Sequence, residues 1–230
     1  MDKELFIKEV KKLGIDIDDS KLEKLDKYYK MLIETNRHTN LTRITEESDV
    51  YLKHFYDSLT IVKVIDFKEN LDIIDIGTGA GFPGIILKIM FPNLKITLLD
   101  SLNKRIEFLN SVIKNLDLKD IIAVHDRIEN YNKEFDIVVS RAVAKTNILL
   151  ELSCQLVKTN GYFIFLKGNI KEELEEAEST IKTLNLKLEQ KEEFMLPIEN
   201  SNRAIIKIKK LSEIDKKYPR NFAKIKEKPL

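Results

Sequence analysis

Residues 75–84 read Asp-Ile-Gly-Thr-Gly-Ala-Gly-Phe-Pro-Gly and hold four of the seven glycines in this 230-residue chain. In a sequence so poor in glycine, Gly77, Gly79, Gly81 and Gly84 mark a backbone that must turn tightly. They also let a ligand approach without Cβ interference. The preceding run, LDIIDI, predicts a buried strand, and GIILKIMF predicts a helix stopped by Pro92. The start of that helix would turn free N–H groups toward an anionic or polar part of a ligand. Asp100 lies 23 residues beyond Gly77 and ends the next apolar run, KITLLD. A carboxylate at the carboxyl edge of a sheet can accept from both hydroxyls of an adenosine ribose. The bland alternative is a structural turn with a helix-capping aspartate. A strand before, a helix after and an acid ending the next strand argue together against it.

Dinucleotide enzymes share this layout, so the cofactor rests on spacing. The glycines follow G-x-G-x-G, tighter than the G-x-G-x-x-G of most nicotinamide folds. Asp75, two residues before the first glycine, completes the acidic-x-Gly-x-Gly-x-Gly form of S-adenosylmethionine enzymes. Its carboxylate is expected to engage the methionyl ammonium, directly or through water. S-adenosylmethionine carries no pyrophosphate, so the loop faces an amino-acid moiety instead.

The elements that must position these residues alternate. DIIAVH is a third strand, FDIVVSRA a fourth and YFIFLKG a fifth. Helices are predicted over the segments with Ile106, Leu109, Ile113 and Leu116, over ILLELSCQLV, and over the acidic KEELEEAE. LKLEQKEEFMLP and RAIIKIKK read as two strands with no helix between them. Alternating strands and helices imply an α/β fold with a mostly parallel sheet covered on both faces. The last pair implies an antiparallel hairpin at one edge, the ending of the class I methyltransferase sheet of seven strands. Before residue 66 the spacing of Leu5/Phe6, Val10 and Leu13, of Leu22, Leu25, Tyr29 and Leu32, and of Tyr51, Phe55, Leu59 and Val62 predicts helices. Three regions follow: a helical appendage over 1–66, a cofactor-binding core over 67–210 and a basic tail over 211–230.

Composition fits one soluble globular protein, at 43% hydrophobic and 33% charged residues. Cys154 is the lone cysteine and the N-terminus has no continuous apolar stretch. A reducing cytoplasm without membrane attachment is therefore expected. Net charge is +1, but from Lys207 onward nine basic and three acidic residues give +6. That run reads either as a solvated tail or as a phosphate-contacting one.

The fourth strand ends in Ser140-Arg141-Ala142, where reacting groups collect in such sheets. No N/D-P-P-Y/F sequence of adenine amino methyltransferases is present. Cys154, inside an apolar helix, reads as a packed core thiol rather than a pyrimidine-activating nucleophile. These absences favour an acceptor needing neither covalent activation nor deprotonation, such as a ring nitrogen lone pair, for which alignment is most of the mechanism. A small-molecule methyltransferase, an NAD(P) oxidoreductase and a non-catalytic RNA-binding protein remain as alternatives. His54, Asp57 and Ser58, at i, i+3 and i+4, share a helix face and cannot form a nucleophilic triad. They read as a hydrogen-bonded set docking the helical region near the cleft. His38, His54 and His125 lack metal-ligand spacing, and no metal site is expected.

The chain resembles the RsmG (glucose-inhibited division protein B) family of bacterial 16S rRNA guanine-N7 methyltransferases. The resemblance rests on Asn36-Arg-His-Thr-Asn-Leu-Thr42, His54-x-x-Asp57-Ser58, DIGTGAGFPG, LLDSLNKRIEFL, Ser140-Arg-Ala, Leu166-Lys-Gly, LPIENSNRAIIKIKK and Lys-Lys-Tyr-Pro-Arg220. It implies an S-adenosylmethionine-dependent enzyme acting on one guanosine, within the small ribosomal subunit or its precursor. It also implies that Gly77 and Phe82 line the cofactor loop, and that Asp100, Ser101 and Leu102 meet the ribose and adenine side. Ile128 and Glu129 would border the adenine, where the family often has Ala-Glu. Arg141 would lie near the methionyl end or the target base, in a positioning role with no general base. Asn36 and Asn40, with Thr42, are either turn and cap residues or the entrance for the target base.

Lys104 and Arg105 begin a helix, a poor place for cations. With Arg141, Lys167, Arg203 and the tail that contains Arg220, they are expected to form a basic rim facing RNA. Ordinary ion pairing with glutamates is the alternative. The acidic helix over Glu172–Glu178 is expected to point away from RNA.

Overall fold

The apolar runs form β1 (Asp72–Ile76), β2 (Lys95–Asp100), β3 (Ile121–His125), β4 (Phe135–Arg141) and β5 (Val157–Lys167). The late segments form β6 (Leu186–Met195) and β7 (Asn202–Lys210). These elements are those of a computed structural model that describes residues 1–230. One sheet runs in the order β3-β2-β1-β4-β5-β7-β6. β7 is antiparallel to both β5 and β6, and the remaining pairs are parallel. The expected α/β sheet with its closing hairpin is therefore present.

Two short helices lead the chain, α1 (Lys3–Lys12) and α2 (Asp19–Asn36). Asp2 and Asp18 cap them by accepting from Leu5 N and Lys21 N, both at 2.8 Å. The third predicted helix is composite. It runs from α3 (Glu47–Val50) through a π-helical turn (Tyr51–Tyr56) and α4 (Asp57–Leu59) into a 3-10 turn (Thr60–Lys63). In a wider turn the simple i, i+3, i+4 register no longer holds. Ser58 spends its hydroxyl inside the helix, donating to His54 O at 2.6 Å. Only His54 and Asp57 of the predicted set reach outward.

α5 (Gly84–Met90) and α6 (Asn103–Asn115) cover one face of the sheet, and α7 (Thr146–Ser153) and α8 (Lys171–Thr183) cover the other. Residues 1–66 share the first of these cores. Phe6, Leu25, Tyr28, Phe55 and Leu59 pack in one cluster with Ile85, Leu98 and Leu109. Burying each aliphatic or aromatic side chain of that kind is worth ~1.5–3 kcal/mol.

The segment over 211–230 is packed rather than loose. Ile214 and Ile225 are buried, the latter in α9 (Phe222–Glu227). Gln155 Nε2 donates to Tyr218 O at 2.9 Å, and Thr180 Oγ1 donates to Leu230 O at 2.9 Å. No helix is long and apolar enough to cross a membrane.

Candidate active site

The strand order reverses at β1, with β2 on one side and β4 on the other. Ligands of such sheets bind at the carboxyl ends of the strands beside this switch. A cleft of about 620 Å³ lies there, lined by Gly77, Gly79 and Phe82 of the loop and by Asp100 and Ser101 after β2. Ile128 and Glu129, beyond β3, and Arg141, ending β4, also line it. Gly81 has φ +104°, and a Cβ there would sit 2.5 Å from Ile85 Cγ1. A Cβ on Gly84 would meet Leu98 at 2.3 Å and Asp75 Oδ2 at 2.9 Å. Only glycine lets loop and helix close this tightly. Tyr28, from the N-terminal helices, donates its hydroxyl to Ala80 O and so props the loop from beneath.

Three of the expected cofactor residues do not line the cleft. Asp75 is fully buried under the loop, where Oδ2 accepts from Thr78 Oγ1 at 2.6 Å and from Gly84 N at 2.8 Å. Its Oδ1 is buried without a partner. Burial pushes this carboxyl up to about 7, against those two bonds and the charge of Arg141. Asp75 thus ties the strand end to the helix start, and it is not placed at the cleft wall to meet an ammonium. Leu102 is 52% exposed, and its contribution is an N–H donated to Asp100 Oδ1 at 3.0 Å. Gly81 packs against Ile85 and Leu109 instead of facing the cleft.

Asp100 is the hub of the cleft floor. Besides Leu102 N, it accepts from Gly79 N at 2.9 Å and from Arg105 Nη1 at 3.0 Å. A carboxylate has about four acceptor sites, so roughly one is left for a ligand hydroxyl. Arg105 Nη1 is thus turned to the cleft floor. Its place at the start of α6 follows from its ion pair with Asp100.

Arg141 joins the helical region to the sheet. Its Nη1 donates to Lys53 O at 2.8 Å and to Asp57 Oδ2 at 3.2 Å, and its Nη2 meets His54 Nδ1 at 2.9 Å. The His54 ring stacks on Phe82 at 4.5 Å, and the guanidinium lies 5.0 Å from the centre of the same ring. Burial and the neighbouring Arg141 charge push His54 down to about 3. Burial raises the Asp57 carboxyl above its ordinary value despite two guanidinium partners, Arg141 and Arg203.

A second cavity, of about 550 Å³, adjoins the cleft and shares with it His54 and the segment 141–144. Lys167 and Arg203 line this cavity rather than an outer rim. Lys167 Nζ pairs with Glu173 at 2.9 Å and also donates to Ala144 O, while Arg203 Nε lies 3.2 Å from Asp57 Oδ1. The acidic helix does not point wholly away, because Glu173 forms part of the wall. Arg220 is engaged within the protein: its Nε and Nη2 clamp the fully buried Glu151 at 2.6 and 2.7 Å. Asn36 accepts from Leu41 N and Thr42 N at 2.8 and 2.9 Å, a loop cap. Asn40 and Lys104 are exposed. No group of three or more His, Cys, Asp or Glu side chains is arranged to hold a metal ion.

Residues 21–214 match the family described as GidB, rRNA small subunit methyltransferase G. The ribosomal RNA small subunit methyltransferase G of Lachnoclostridium phytofermentans is 48% identical over 236 residues, covering 100% of this chain and 98% of that protein. The chain belongs to the rRNA small subunit methyltransferase G family. Among solved structures, a SAM-dependent methyltransferase from Aquifex aeolicus superposes with a TM-score of 0.54 at 15% identity, covering 71% of this chain and 93% of that one. The [4+2]-cyclase SpnF superposes at 0.57 with 8% identity, covering 69% and 82%. These likenesses show the class I methyltransferase fold alone, since one fold hosts different chemistries.

As a member of the methyltransferase G family, the chain takes its methyl group from S-adenosylmethionine. The chemistry of the cleft lining fits that donor: glycine backbone, Phe82, the Asp100 carboxylate and the apolar Ile128, Ile148 and Leu152 all line it. Several wall residues escaped sequence reading, two of them from the C-terminal segment. Phe222 and Lys226 of α9 line this cleft, and the Arg127 guanidinium lies 5.5 Å from the centre of the Phe222 ring. A basic run gives no sign of one aromatic side chain turned inward. Ala142, with φ +56°, starts the strap between the two cavities, and its strained backbone was equally unreadable.

Proposed function

We propose that this protein methylates N7 of a guanosine in small-subunit rRNA. The observation that carries this reading is the full-length likeness to proteins named ribosomal RNA small subunit methyltransferase G. The cytoplasm, where ribosomal subunits assemble, is the compartment that agrees with it. The subunit or its precursor is the proposed partner, and no metal is given a role.

S-adenosylmethionine, when bound, supplies an electrophilic methyl group that the in-plane lone pair of N7 can take without losing a proton. The chain must therefore align two reactants rather than activate one. Gly79 N and Arg105 hold the Asp100 carboxylate so that it can accept from a ribose hydroxyl. Ile128 and Phe222 offer apolar surface to an adenine. Arg141, held by Asp57 and His54, forms the boundary between the two cavities and keeps their mouths in register. Methylated N7 leaves the guanine cationic; the carboxylates of the second cavity, Asp57 and Glu173, are already paired with Arg141, Arg203 and Lys167, so the charged lining favours release of the product.

The test is transfer of labelled methyl to small ribosomal subunits from an unmethylated strain, followed by nucleoside analysis. Label is expected in N7-methylguanosine. Label in N6-methyladenosine, or none in RNA, overturns the reading.

A further inference from the structure

The two cavities meet at Arg141–Ala144, and Lys53, Asp57, Lys167, Glu173 and Arg203 line only the second. A flat ring placed there with one edge toward the donor cleft turns its remaining edges toward those residues. Most of their hydrogen-bonding capacity is spent. Asp57 uses one oxygen on Arg141 and the other on Arg203. Both ring nitrogens of His54 are engaged, by Arg141 and Thr42.

Glu173 differs. Its Oε2 takes Lys167 Nζ at 2.9 Å, Thr146 Oγ1 at 2.9 Å and Thr146 N at 3.2 Å, whereas Oε1 accepts no hydrogen bond. Burial opposes its ionisation, but Lys167 and Thr146 hold the carboxyl below its ordinary range. Lys167 has three ammonium protons, and two are directed to Glu173 and Ala144 O. The pair thus presents one free donor beside one free anionic acceptor on the wall of the cavity.

We infer that Glu173 is the specificity-determining residue for guanine, with Lys167 as its partner. This rests on the N7 reading above. With N7 toward the donor cleft, guanine keeps O6 beside N7 on the same edge and turns N1–H and N2–H along the adjoining edge, so that acceptor, donor and donor follow one another into the second cavity. Lys167 suits O6, and the Glu173 carboxylate suits the two donors. Adenine offers a donor amine where O6 would be and a lone pair at N1, so it would face cation and anion with the wrong groups. Leaving buried polar groups unpaired is what makes such a site selective.

The experiment uses the full chain and small subunits reconstituted with guanosine or inosine at the target position, inosine lacking only the 2-amino group. Wild type is expected to show kcat/KM at least tenfold lower on inosine. Glu173→Gln is expected to lose at least tenfold on guanosine, to lose no more than about twofold further on inosine, and to bind S-adenosylhomocysteine as wild type does. A guanosine-to-inosine ratio in Glu173→Gln equal to that of wild type overturns the inference. So does a wild type indifferent to inosine, a result that needs no variant to fold. Glu173→Asp, which keeps the charge, is expected to keep a preference for guanosine; its loss counts against the role. Absence of N7-methylguanosine from wild type on guanosine subunits instead defeats the N7 reading, and the inference with it.

Discussion

Arg141 donates from Nη2 to Nδ1 of His54 at 2.9 Å, while the opposite ring nitrogen meets the Thr42 hydroxyl at 2.8 Å. A guanidinium has no acceptor, so Nδ1 must carry a lone pair and the ring must be neutral. His54 titrates near 6.5 when unfolded and near 3 in place. Its contribution to stability is therefore complete above about pH 6.5 and is lost as pH falls toward 3. Between pH 6.5 and 5 this loss amounts to about 2 kcal/mol. Urea unfolding at those two pH values should show His54→Gln losing less stability than wild type by roughly that amount. Equal losses in the two proteins would remove the neutral-imidazole assignment.

Asp100 collects two backbone N–H groups and the Arg105 guanidinium. Asp100→Asn keeps one acceptor oxygen but loses the charge, and hydrogen bonds to charged groups are worth about 1.5–3 kcal/mol. Calorimetric titration should give S-adenosylhomocysteine binding weaker by roughly 10- to 100-fold. Wild-type affinity would dissociate Asp100 from the donor site.

Phe222 is 36% exposed and lines the cleft beside Ile128 and Arg127. An aromatic contact of this kind is worth about 0.5–1.5 kcal/mol. Phe222→Ala is expected to weaken S-adenosylhomocysteine binding by roughly 2- to 10-fold with little change in melting temperature. If melting falls and affinity holds, α9 serves the fold and not the donor.

Glu151 is fully buried and paired with Arg220 through both of its oxygens. Removing one partner of a buried pair costs about 3–5 kcal/mol. Arg220→Ala should lower the unfolding midpoint sharply while leaving the salt dependence of rRNA binding unchanged, because the guanidinium neutralises no phosphate. A flatter salt slope without loss of stability would restore Arg220 to the RNA interface.

The strand-and-helix order, the glycine loop and Asp100 were legible because each depends on local pattern: apolar period, glycine spacing and distance to the next strand end. The π-helical turn at Tyr51–Tyr56 left no mark, since Tyr51, Phe55 and Leu59 recur every four residues, a spacing that an ordinary α-helix would also bury. Ion-pair partners were invisible for a different reason. Arg220 looked free because Glu151 lies 69 residues away, flanked in its helix by the apolar Ile148, Leu149, Leu150 and Leu152. Lys167 and Arg203 read as rim charges for want of knowing that Glu173 and Asp57 would be folded against them. Asp75 has the spacing of a cofactor ligand, but the close approach of Gly84 draws it beneath the loop.

The last helix brings Phe222 and Lys226 to the donor cleft, whose other walls are built from residues 41–152. Donor binding and the seating of α9 are thereby linked: a ligand held between Ile128 and Phe222 favours the state in which α9 is packed on the core, and a change that loosens α9 opens the cleft.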